Sequence, residues 1–243
     1  MKLVQTTPGI FLKTFLYDFP LIQWTCWQTP QIPLLVRRSL QIGAGQVPSE
    51  LEELLQYLRD YKFNSFLEIG TFLGGTLFVW PYICSDNATI VTVDLPYSVS
   101  KHRGVSSNGY PSFRKMLFKK FKRANQCIIP LQENSHSEVT RDKVKNIFNG
   151  QVIDALLIDG DHSAEGAAQD FELYAPLVRK GGIILIHDIS YKTTSIKGGG
   201  ALLWQKVKEG RFFGPSALRM TFSNIREIRH QPGSYGFGIL KVS

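Results

Sequence analysis

The stretch Phe66-Leu-Glu-Ile-Gly-Thr-Phe-Leu-Gly-Gly-Thr76 carries the strongest structural signal in this chain of 243 residues. An apolar run containing Glu68 leads into three glycines, Gly70, Gly74 and Gly75. Because glycine has no Cβ, the backbone can turn sharply there and a ligand can approach the main chain. The stretch therefore predicts a strand, a tight turn and a helix from Gly74, an arrangement that binds nucleotide-like cofactors.

A second acidic residue, Asp94, ends the apolar run at 89–94. In nucleotide-binding folds, an acidic residue roughly 20 positions after the glycine turn holds the ribose hydroxyls. We therefore expect Glu68 and Asp94 to lie side by side at the carboxyl edge of one parallel sheet. Glu68 would repel a pyrophosphate but suits a cofactor with a ribose and a cationic amino-acid tail. S-adenosylmethionine is such a cofactor.

The alternation of apolar runs with helical patterns predicts an α/β fold with a mostly parallel sheet. Near the C-terminus, two strand-like runs flank Gln231-Pro-Gly233, which indicates a closing antiparallel hairpin. The predicted strands lie at 65–69, 90–94, 127–131, 153–159, 183–188, 226–229 and 235–241. The predicted helices lie near 49–60, 113–124, 140–148, 166–177 and 202–208, and one begins at Gly74.

The pattern Glu-x-Gly-x-x-x-Gly-Gly, followed by an acidic strand end, resembles the first two motifs of class I methyltransferases. The resemblance implies their Rossmann-like seven-stranded sheet and S-adenosylmethionine as the cofactor. It also implies a methyltransferase domain at 46–243. An aromatic-rich extension at 1–45 precedes this domain, and we expect it to serve as a lid or an interface. The implied cofactor-binding residues in these two motifs are Glu68, Gly70, Thr71, Gly74, Thr76 and Asp94.

Length and composition agree with one enzyme-sized domain, since 43% of the residues are apolar. No run of about 18 apolar residues exists, so we expect no membrane-spanning helix. The chain begins without a signal-peptide pattern, so we expect it to stay in the cytoplasm. The three cysteines, Cys26, Cys84 and Cys127, have no paired spacing and predict reduced thiols.

The formal net charge of +8 is concentrated in a basic stretch at 113–124. Apolar residues recur there at helical spacing, which predicts an amphipathic helix with its charges on a solvated face. The alternative is a surface that binds RNA, anionic lipid or an acidic substrate. The basic residues are Arg114, Lys115, Lys119, Lys120, Lys122 and Arg123.

Two later strands end in carboxylates and imidazoles. The run Leu156-Leu-Ile-Asp-Gly-Asp-His162 ends in Asp159, Asp161 and His162, and Ile183-Ile-Leu-Ile-His-Asp188 ends in His187 and Asp188. The carboxyl ends of parallel strands meet at one sheet edge, so these groups should lie close together. They can coordinate a hard divalent cation or remove a proton from a substrate hydroxyl.

The run from Ile158 through Gly166, Asp170 and Gly181-Gly182 to Ile189 resembles the subfamily of cephalosporin-hydroxylase-like proteins and macrolide or rhamnosyl O-methyltransferases. In metal-dependent relatives, acids closing the fourth and fifth strands hold magnesium, which implies Asp159 and Asp188 as Mg²⁺ ligands. Those relatives often have two adjacent acids on the fifth strand. This chain has His187 there, and imidazole is a poor Mg²⁺ ligand, so the resemblance leaves metal dependence open.

The resemblance also bears on the general base and on further cofactor contacts. Related sugar O-methyltransferases use the second carboxylate of an Asp-x-Asp pair as the base, which implies Asp161 if a metal is held. Without a metal, a histidine can serve unaided, either His162 or His187. By position, the resemblance implies adenine contacts from Asn134 and Ser135 and further cofactor contacts from Gln46 and Asp159.

Three hypotheses follow from the sequence. The first is an O-methyltransferase that uses S-adenosylmethionine on a small-molecule or glycan acceptor. The second is an RNA or protein methyltransferase that docks its partner through the basic helix at 113–124. It is disfavoured because Asp159-Gly-Asp-His162 stands where an amino-methylating Asn-Pro-Pro-Tyr motif would be. The third is a cofactor-binding module without catalysis. Assembly into a homo-oligomer is open under each hypothesis.

Overall fold

The computed structural model describes residues 7–18, 31–97, 109–190, 198–211, 220–230 and 234–243. The helices are α1 (Thr7–Lys13), α2 (Ile32–Ile42), α3 (Pro48–Leu58), α4 (Trp80–Ile83), α5 (Arg114–Phe118), α6 (Glu138–Ile147), α7 (Ala164–Tyr174) and α8 (Gly199–Lys208). A π-helical turn at Thr14–Asp18 follows α1, and a 3₁₀ turn at Ala175–Leu177 follows α7. The strands are β1 (Phe63–Ile69), β2 (Cys84–Asp94), β3 (Cys127–Gln132), β4 (Ile153–Ile158), β5 (Val178–His187), β6 (Phe222–Ile228) and β7 (Phe237–Val242).

These strands form one seven-stranded sheet in the order β3-β2-β1-β4-β5-β7-β6. The first five are parallel, and β7 runs antiparallel to both β5 and β6. The predicted mostly parallel sheet with a C-terminal antiparallel hairpin is therefore confirmed. The order reverses between β1 and β4, so the carboxyl ends of these two strands border the crevice where such sheets bind ligands.

Both faces of the sheet are covered by apolar side chains, as expected for parallel strands. Successive residues of β5 alternate between two buried clusters: Ile183 and Leu185 lie in one, and Ile184 and Ile186 in the other. The central strand β4 is buried along its whole length. The sheet is thus a rigid platform, and its carboxyl edge is where polar groups can reach solvent.

The helix predicted from Gly74 is wrong in its start and extent. Residues 72–79 form successive turns, and only Trp80–Ile83 is helical. The backbone bonds there mix spacings, with Phe78 N–H donating to Gly74 C=O and Val79 N–H donating to Thr76 C=O. Phe72 and Gly74 have positive φ, and Pro81 lacks an N–H, so a regular helix cannot form across this segment.

The basic helix predicted at 113–124 is also wrong in extent, because only Arg114–Phe118 is helical. The chain then tightens, with Lys120 and Phe121 N–H groups donating three residues back. Phe121 packs against the core, and Ala124 has a positive φ. Arg114, predicted on a solvated face, is fully buried, whereas Lys119, Lys120 and Lys122 are exposed. The exposed basic surface is therefore smaller than the sequence suggested.

The described part of the predicted N-terminal extension packs on the same core as the rest of the chain. Leu35, Val36 and Ile42 of α2 belong to one of the two buried clusters, and Ile10 of α1 is also buried. Other parts of the extension, at 1–6 and 19–30, lie outside the described residues, as does Cys26.

Of the other cysteines, Cys84 is buried and Cys127 is exposed, and neither forms a disulfide. None of the helices in the described ranges has the length and apolar character needed to cross a membrane.

Candidate active site

A cleft opens at the carboxyl edge of the sheet, above the ends of β1, β2 and β4. Several residues that the sequence assigned to the cofactor or to catalysis line it: Gly70, Asp94, Asn134, Ser135 and Asp161. A smaller depression beside it is lined by Asp159, Asp161, His162, His187 and Asp188. The fold thus brings the two predicted constellations to adjacent sites on one edge.

The glycines of the first motif make room for protein atoms. Gly70 has φ of +90°, and a Cβ there would clash with the carbonyl oxygen of Asp159. A Cβ on Gly74 would run into the ring of Phe118, and one on Gly75 would meet the backbone of Ala44. The sequence predicted that these glycines let a ligand approach the main chain. In the structure they let the turn pack closely against β4, α5 and the segment after α2.

Asp94 fixes the turn after β1. Its Oδ2 accepts the N–H groups of Thr71 and Phe72 at 2.9 and 2.6 Å, and its Oδ1 accepts the N–H of Leu95 at 2.7 Å. Burial raises the pKa of this carboxyl, and the three backbone bonds oppose that rise. Asp94 thus lines the cleft while it holds the turn in place.

Glu68 lies beneath the turn and is fully buried. Its carboxyl oxygens accept hydrogen bonds from Trp80 Nε1 at 2.8 Å and Thr92 Oγ1 at 3.0 Å, and Thr76 also bonds to it. Thr71 Oγ1 contacts Thr92 Oγ1 within the same network. Burial raises the pKa of Glu68 to about 8. The structure therefore places Glu68, Thr71 and Thr76 in a buried support under the cleft.

The ends of β4 and β5 carry a compact cluster of two carboxylates and two imidazoles. His162 Nδ1 lies 2.6 Å from Asp188 Oδ2, and His187 Nδ1 lies 2.9 Å from Asp159 Oδ1. His187 Nδ1 is also 3.4 Å from Asp188 Oδ1. Gln46 Nε2 donates to Asp159 Oδ2 at 2.9 Å, which ties the N-terminal side of the domain to the cluster. Ligand atoms of Asp159, His162 and Asp188 all lie within 4.8 Å of one another.

The two imidazoles of this cluster differ in environment. Burial lowers the pKa of His187, but the neighbouring carboxylates Asp159 and Asp188 outweigh it and raise that pKa to about 9. His187 is 5% exposed in its side chain, whereas that of His162 is 26% exposed. The hydrogen bond to Asp188 raises the pKa of His162. Of the two imidazoles in this cluster, His162 is the one that combines a carboxylate partner with substantial access to solvent.

Asp161 points away from this cluster toward the start of α7. Its Oδ1 accepts the N–H of Ser163 at 2.8 Å, and its carboxylate occupies the space that a side chain at residue 166 would take. Ser163 itself caps α7 by accepting the N–H of Gly166 at 3.0 Å. Asp161 therefore shapes the loop between the two depressions.

The first turn of α8 closes the far side of the cluster. Gly199 N–H donates to His162 C=O at 2.9 Å, and side chains on Gly199 or Gly200 would clash with the carbonyl oxygens of Ser163 or His187. Gly199 and Gly200 are buried in helix α8.

Comparison with family models identifies this arrangement. A model of the methyltransferase domain matches residues 67–189, which span the glycine turn, Asp94 and the whole carboxylate–imidazole cluster. The chain belongs to the methyltransferase-domain family. The predicted recognition as a class I methyltransferase, and hence as an enzyme, is confirmed. A comparison with curated protein sequences gives no significant match.

Solved structures of other methyltransferases share the fold of this methyltransferase domain at low sequence identity. The MycE methyltransferase of the mycinamycin pathway, solved with Mg, SAH and mycinamycin VI, is 17% identical with a TM-score of 0.59, over 88% of this chain and 55% of MycE. An O-methyltransferase from Bacillus cereus, solved with SAH, is 15% identical with a TM-score of 0.54 over all of both chains. TomG from Streptomyces achromogenes, solved with SAM, is 14% identical with a TM-score of 0.54, over 86% of this chain and 89% of TomG. This chain thus spans about half the length of MycE.

The structure also shows a pair in the methyltransferase domain that sequence reasoning missed. His136 lines the cleft next to Asn134 and Ser135, and its Nε2 lies 3.5 Å from Oδ1 of the fully buried Asp170. The adjacent carboxylate of Asp170 raises the pKa of His136. Asn134 Oδ1 accepts the N–H of His136 at 3.2 Å, so the three-residue segment is preorganised. The available signal was the position of His136 directly after Asn134-Ser135.

Proposed function

We propose that this chain is an S-adenosylmethionine-dependent O-methyltransferase that acts on a hydroxyl of a small molecule or sugar, with residues 46–243 as the catalytic domain. The observation that carries the proposal is the 2.6 Å pair between His162 Nδ1 and Asp188 Oδ2, positioned beside the cleft of Gly70 and Asp94. An activated methyl donor leaves one chemical task to the protein besides alignment, which is deprotonation of the acceptor oxygen. A histidine oriented by a carboxylate performs that task.

Residues along the cleft would hold the cofactor. Gly70 and Asp94 border the half nearest β1 and β2, where the ribose would lie, and Asn134, Ser135 and His136 border the half suited to the adenine. Asp94 keeps acceptor capacity on Oδ1 beyond its bond to Leu95 N–H. Glu68, Thr71 and Thr76 act from below by holding the turn. The sulfonium supplies an electrophilic methyl group when the cofactor is bound.

Of the three candidates for the base, the geometry supports His162. Asp188 accepts a hydrogen bond from Nδ1–H, which leaves the lone pair on Nε2 for the proton of the acceptor hydroxyl. Asp188 then stabilises the imidazolium that forms. His187 is enclosed between Asp159 and Asp188 and is protonated at neutral pH, so it is poorly suited to accept a proton. Asp161 already accepts a backbone N–H at the start of α7.

The residues present also fit a divalent cation. Asp159 and Asp188 would hold it, and their carboxylates with the imidazole of His162 place three ligand atoms within 4.8 Å of one another. This arrangement is an alternative to the one above, because a neutral imidazole that ligates a cation has no lone pair left to accept a proton. A bound cation would lower the pKa of a coordinated acceptor hydroxyl. MycE is solved with Mg, yet the imidazole of His162 shifts the donor set from all-oxygen toward one that suits Mn²⁺ or Zn²⁺.

Transfer of a radiolabelled methyl group tests the proposal with a panel of phenolic and sugar acceptors. The wild-type protein should label at least one hydroxyl acceptor. His162→Asn should lose about 10²–10⁴-fold in kcat while its affinity for S-adenosylhomocysteine stays unchanged. Asp161→Asn, the matched neighbour outside the cluster, should lose less than His162→Asn. Equal activity of His162→Asn and wild type would refute the assignment of the base, and absence of transfer to every acceptor would favour a binding module.

A further inference from the structure

The first described segment of the chain ends in a buried ionic cluster. Asp18, the last residue of the π-helical turn, has a side chain that is 2% exposed. Its Oδ2 accepts a hydrogen bond from Arg114 Nη1 at 2.9 Å, and its Oδ1 accepts one from Lys13 Nζ at 2.7 Å. One carboxylate thus pairs with two cations from different parts of the chain.

Arg114 connects this cluster to the turn after β1. Its Nη2 donates to the carbonyl oxygen of Leu73, at the centre of that turn, and its Nη1 also donates to Thr14 Oγ1 at 2.7 Å. One helical turn later, Phe118 fills the space left by the missing side chain of Gly74. Helix α5 therefore contacts the turn at two consecutive residues, Leu73 and Gly74. The guanidinium of Arg114 is fully buried in this contact.

Lys13 connects the same carboxylate to a second wall of the site. Its Nζ donates to the carbonyl oxygen of Ile42 at 2.8 Å, where α2 ends. The segment that follows packs on the turn, because a Cβ on Gly43 would lie 2.8 Å from Cβ of Leu73. The same segment leads to Gln46, which bonds to Asp159 at 2.9 Å. The two cations thus fasten both the turn and the segment at 43–46.

Removal of Asp18 would leave the buried Arg114 without a counter-charge among its described partners. A buried guanidinium without a carboxylate is strongly unfavourable, so Arg114 would move toward water and release Leu73. The aromatic rings of Phe11 and Phe15 pack on Phe113 beside Arg114, at centroid distances of 5.4 and 6.4 Å. Docking of residues 7–18 and order in the turn are therefore coupled through one charge pair.

We propose that Asp18 and Arg114 are positioning residues for the cofactor. Through the Asp18–Arg114 pair, residues 7–18 hold the turn after β1 in the conformation that binds the cofactor. The inference rests on the proposed function in that the ligand is S-adenosylmethionine or its product. It assigns the described part of the N-terminal extension to the cofactor wall. Asp18 and Arg114 act through Leu73 and need no contact with the ligand.

The test compares the full-length wild-type protein with Asp18→Asn in two measurements. Calorimetry with S-adenosylhomocysteine should show an affinity about tenfold weaker for Asp18→Asn, as expected if about a tenth of the molecules keep the competent turn. Hydrogen exchange without ligand should be faster for the amides of Thr71, Phe72 and Gly74, whose hydrogen bonds define the turn.

Asp154→Asn is the matched control. Asp154 also pairs with an arginine, Arg179, and accepts the N–H groups of Asn64 and Ser65, but these contacts lie at the opposite edge of the sheet. The variant Asp154→Asn should lower the free energy of unfolding. It should leave the hydrogen exchange of the turn amides and the affinity for S-adenosylhomocysteine unchanged. If Asp18→Asn does not fold, Thr14→Val removes one contact of Arg114 and keeps every charge, and it should shift both readouts in the same direction by less.

The outcomes separate this inference from the proposed function. The proposed positioning role would be refuted if Asp18→Asn changed neither the hydrogen exchange of the turn amides nor the affinity for S-adenosylhomocysteine. It would also be refuted if Asp154→Asn changed both measurements as much as Asp18→Asn does. Absence of binding by the wild-type protein would count against the proposed function alone, since the exchange measurement needs no ligand.

Discussion

Replacement of Glu68 by glutamine should make the stability of the protein less dependent on pH. Burial raises the pKa of Glu68 from 4.5 to about 8, so the folded state holds a proton in a range where the unfolded state has released it. The unfolded state then binds fewer protons, and the free energy of unfolding falls as the pH rises from 4.5 toward 8. Glutamine resembles the protonated acid and removes this dependence.

The size of the effect follows from the width of that range. Each pH unit between the two pKa values costs about 1.4 kcal/mol, so the gap between Glu68→Gln and wild type should grow by about 3 kcal/mol between about pH 5 and about pH 7.5. In a protein of this length, that corresponds to a relative Tm shift of roughly 6–12 °C. Thermal denaturation without cofactor, carried out across this pH range, measures the Tm shift. The side chain of Glu138 is exposed, so Glu138→Gln is the control for the loss of a surface carboxylate. Parallel stability curves for Glu68→Gln and wild type would refute the reasoning.

Two further predictions concern packing and the cation. Gly70→Ala should lower the free energy of unfolding by roughly 3 kcal/mol or more in denaturant unfolding, because its Cβ would clash with Asp159. In the control Gly150→Ala, where φ is +71° but the space is open, the free energy of unfolding should fall by only about 1 kcal/mol. Equal losses in the two variants would contradict the packing role of Gly70. Calorimetric titration with Mn²⁺ alone should show binding that Asp188→Asn weakens at least about tenfold, and binding of equal strength in the variant would place the cation elsewhere.

The sheet was predictable because its signals are local. Most of the parallel strands are short apolar runs with a polar residue at their end or directly after it, such as Asp94 at the end of β2 or Asp159 after β4. The order in which strands alternate with helices restricts the topology further. The neighbouring placement of Asp159, His162, His187 and Asp188 followed from the same rule, since the ends of adjacent parallel strands meet.

The misjudged segments are those where distant partners decide the structure. Arg114 lies in a strongly basic run, so a solvated position was the natural prediction, but Asp18, 96 residues earlier, draws it into the core. For the glycine turn, the sequence predicted ligand access but did not indicate the packing role of these glycines, in which Asp159 approaches Gly70 and Phe118 approaches Gly74. Periodicity in a single segment contains no information about such partners.

The choice among candidate bases likewise needed coordinates. Asp161, His162 and His187 lie within 27 positions of the sequence, and by residue type each of them could act as a general base. Their roles separate only through direction and access: Asp161 bonds to a backbone N–H, His187 is enclosed by two carboxylates, and His162 keeps one nitrogen available. Rotamers and burial of this kind depend on the packed environment and have no local sequence signal.

The most direct test of the account is a calorimetric titration of S-adenosylhomocysteine into the purified protein, first with Mg²⁺ and then with EDTA. We predict micromolar binding, and binding that survives EDTA would show that the cofactor cleft forms without a metal. Absence of binding in both buffers would contradict the central claim that the cleft of Gly70, Asp94 and Asn134 is a cofactor site.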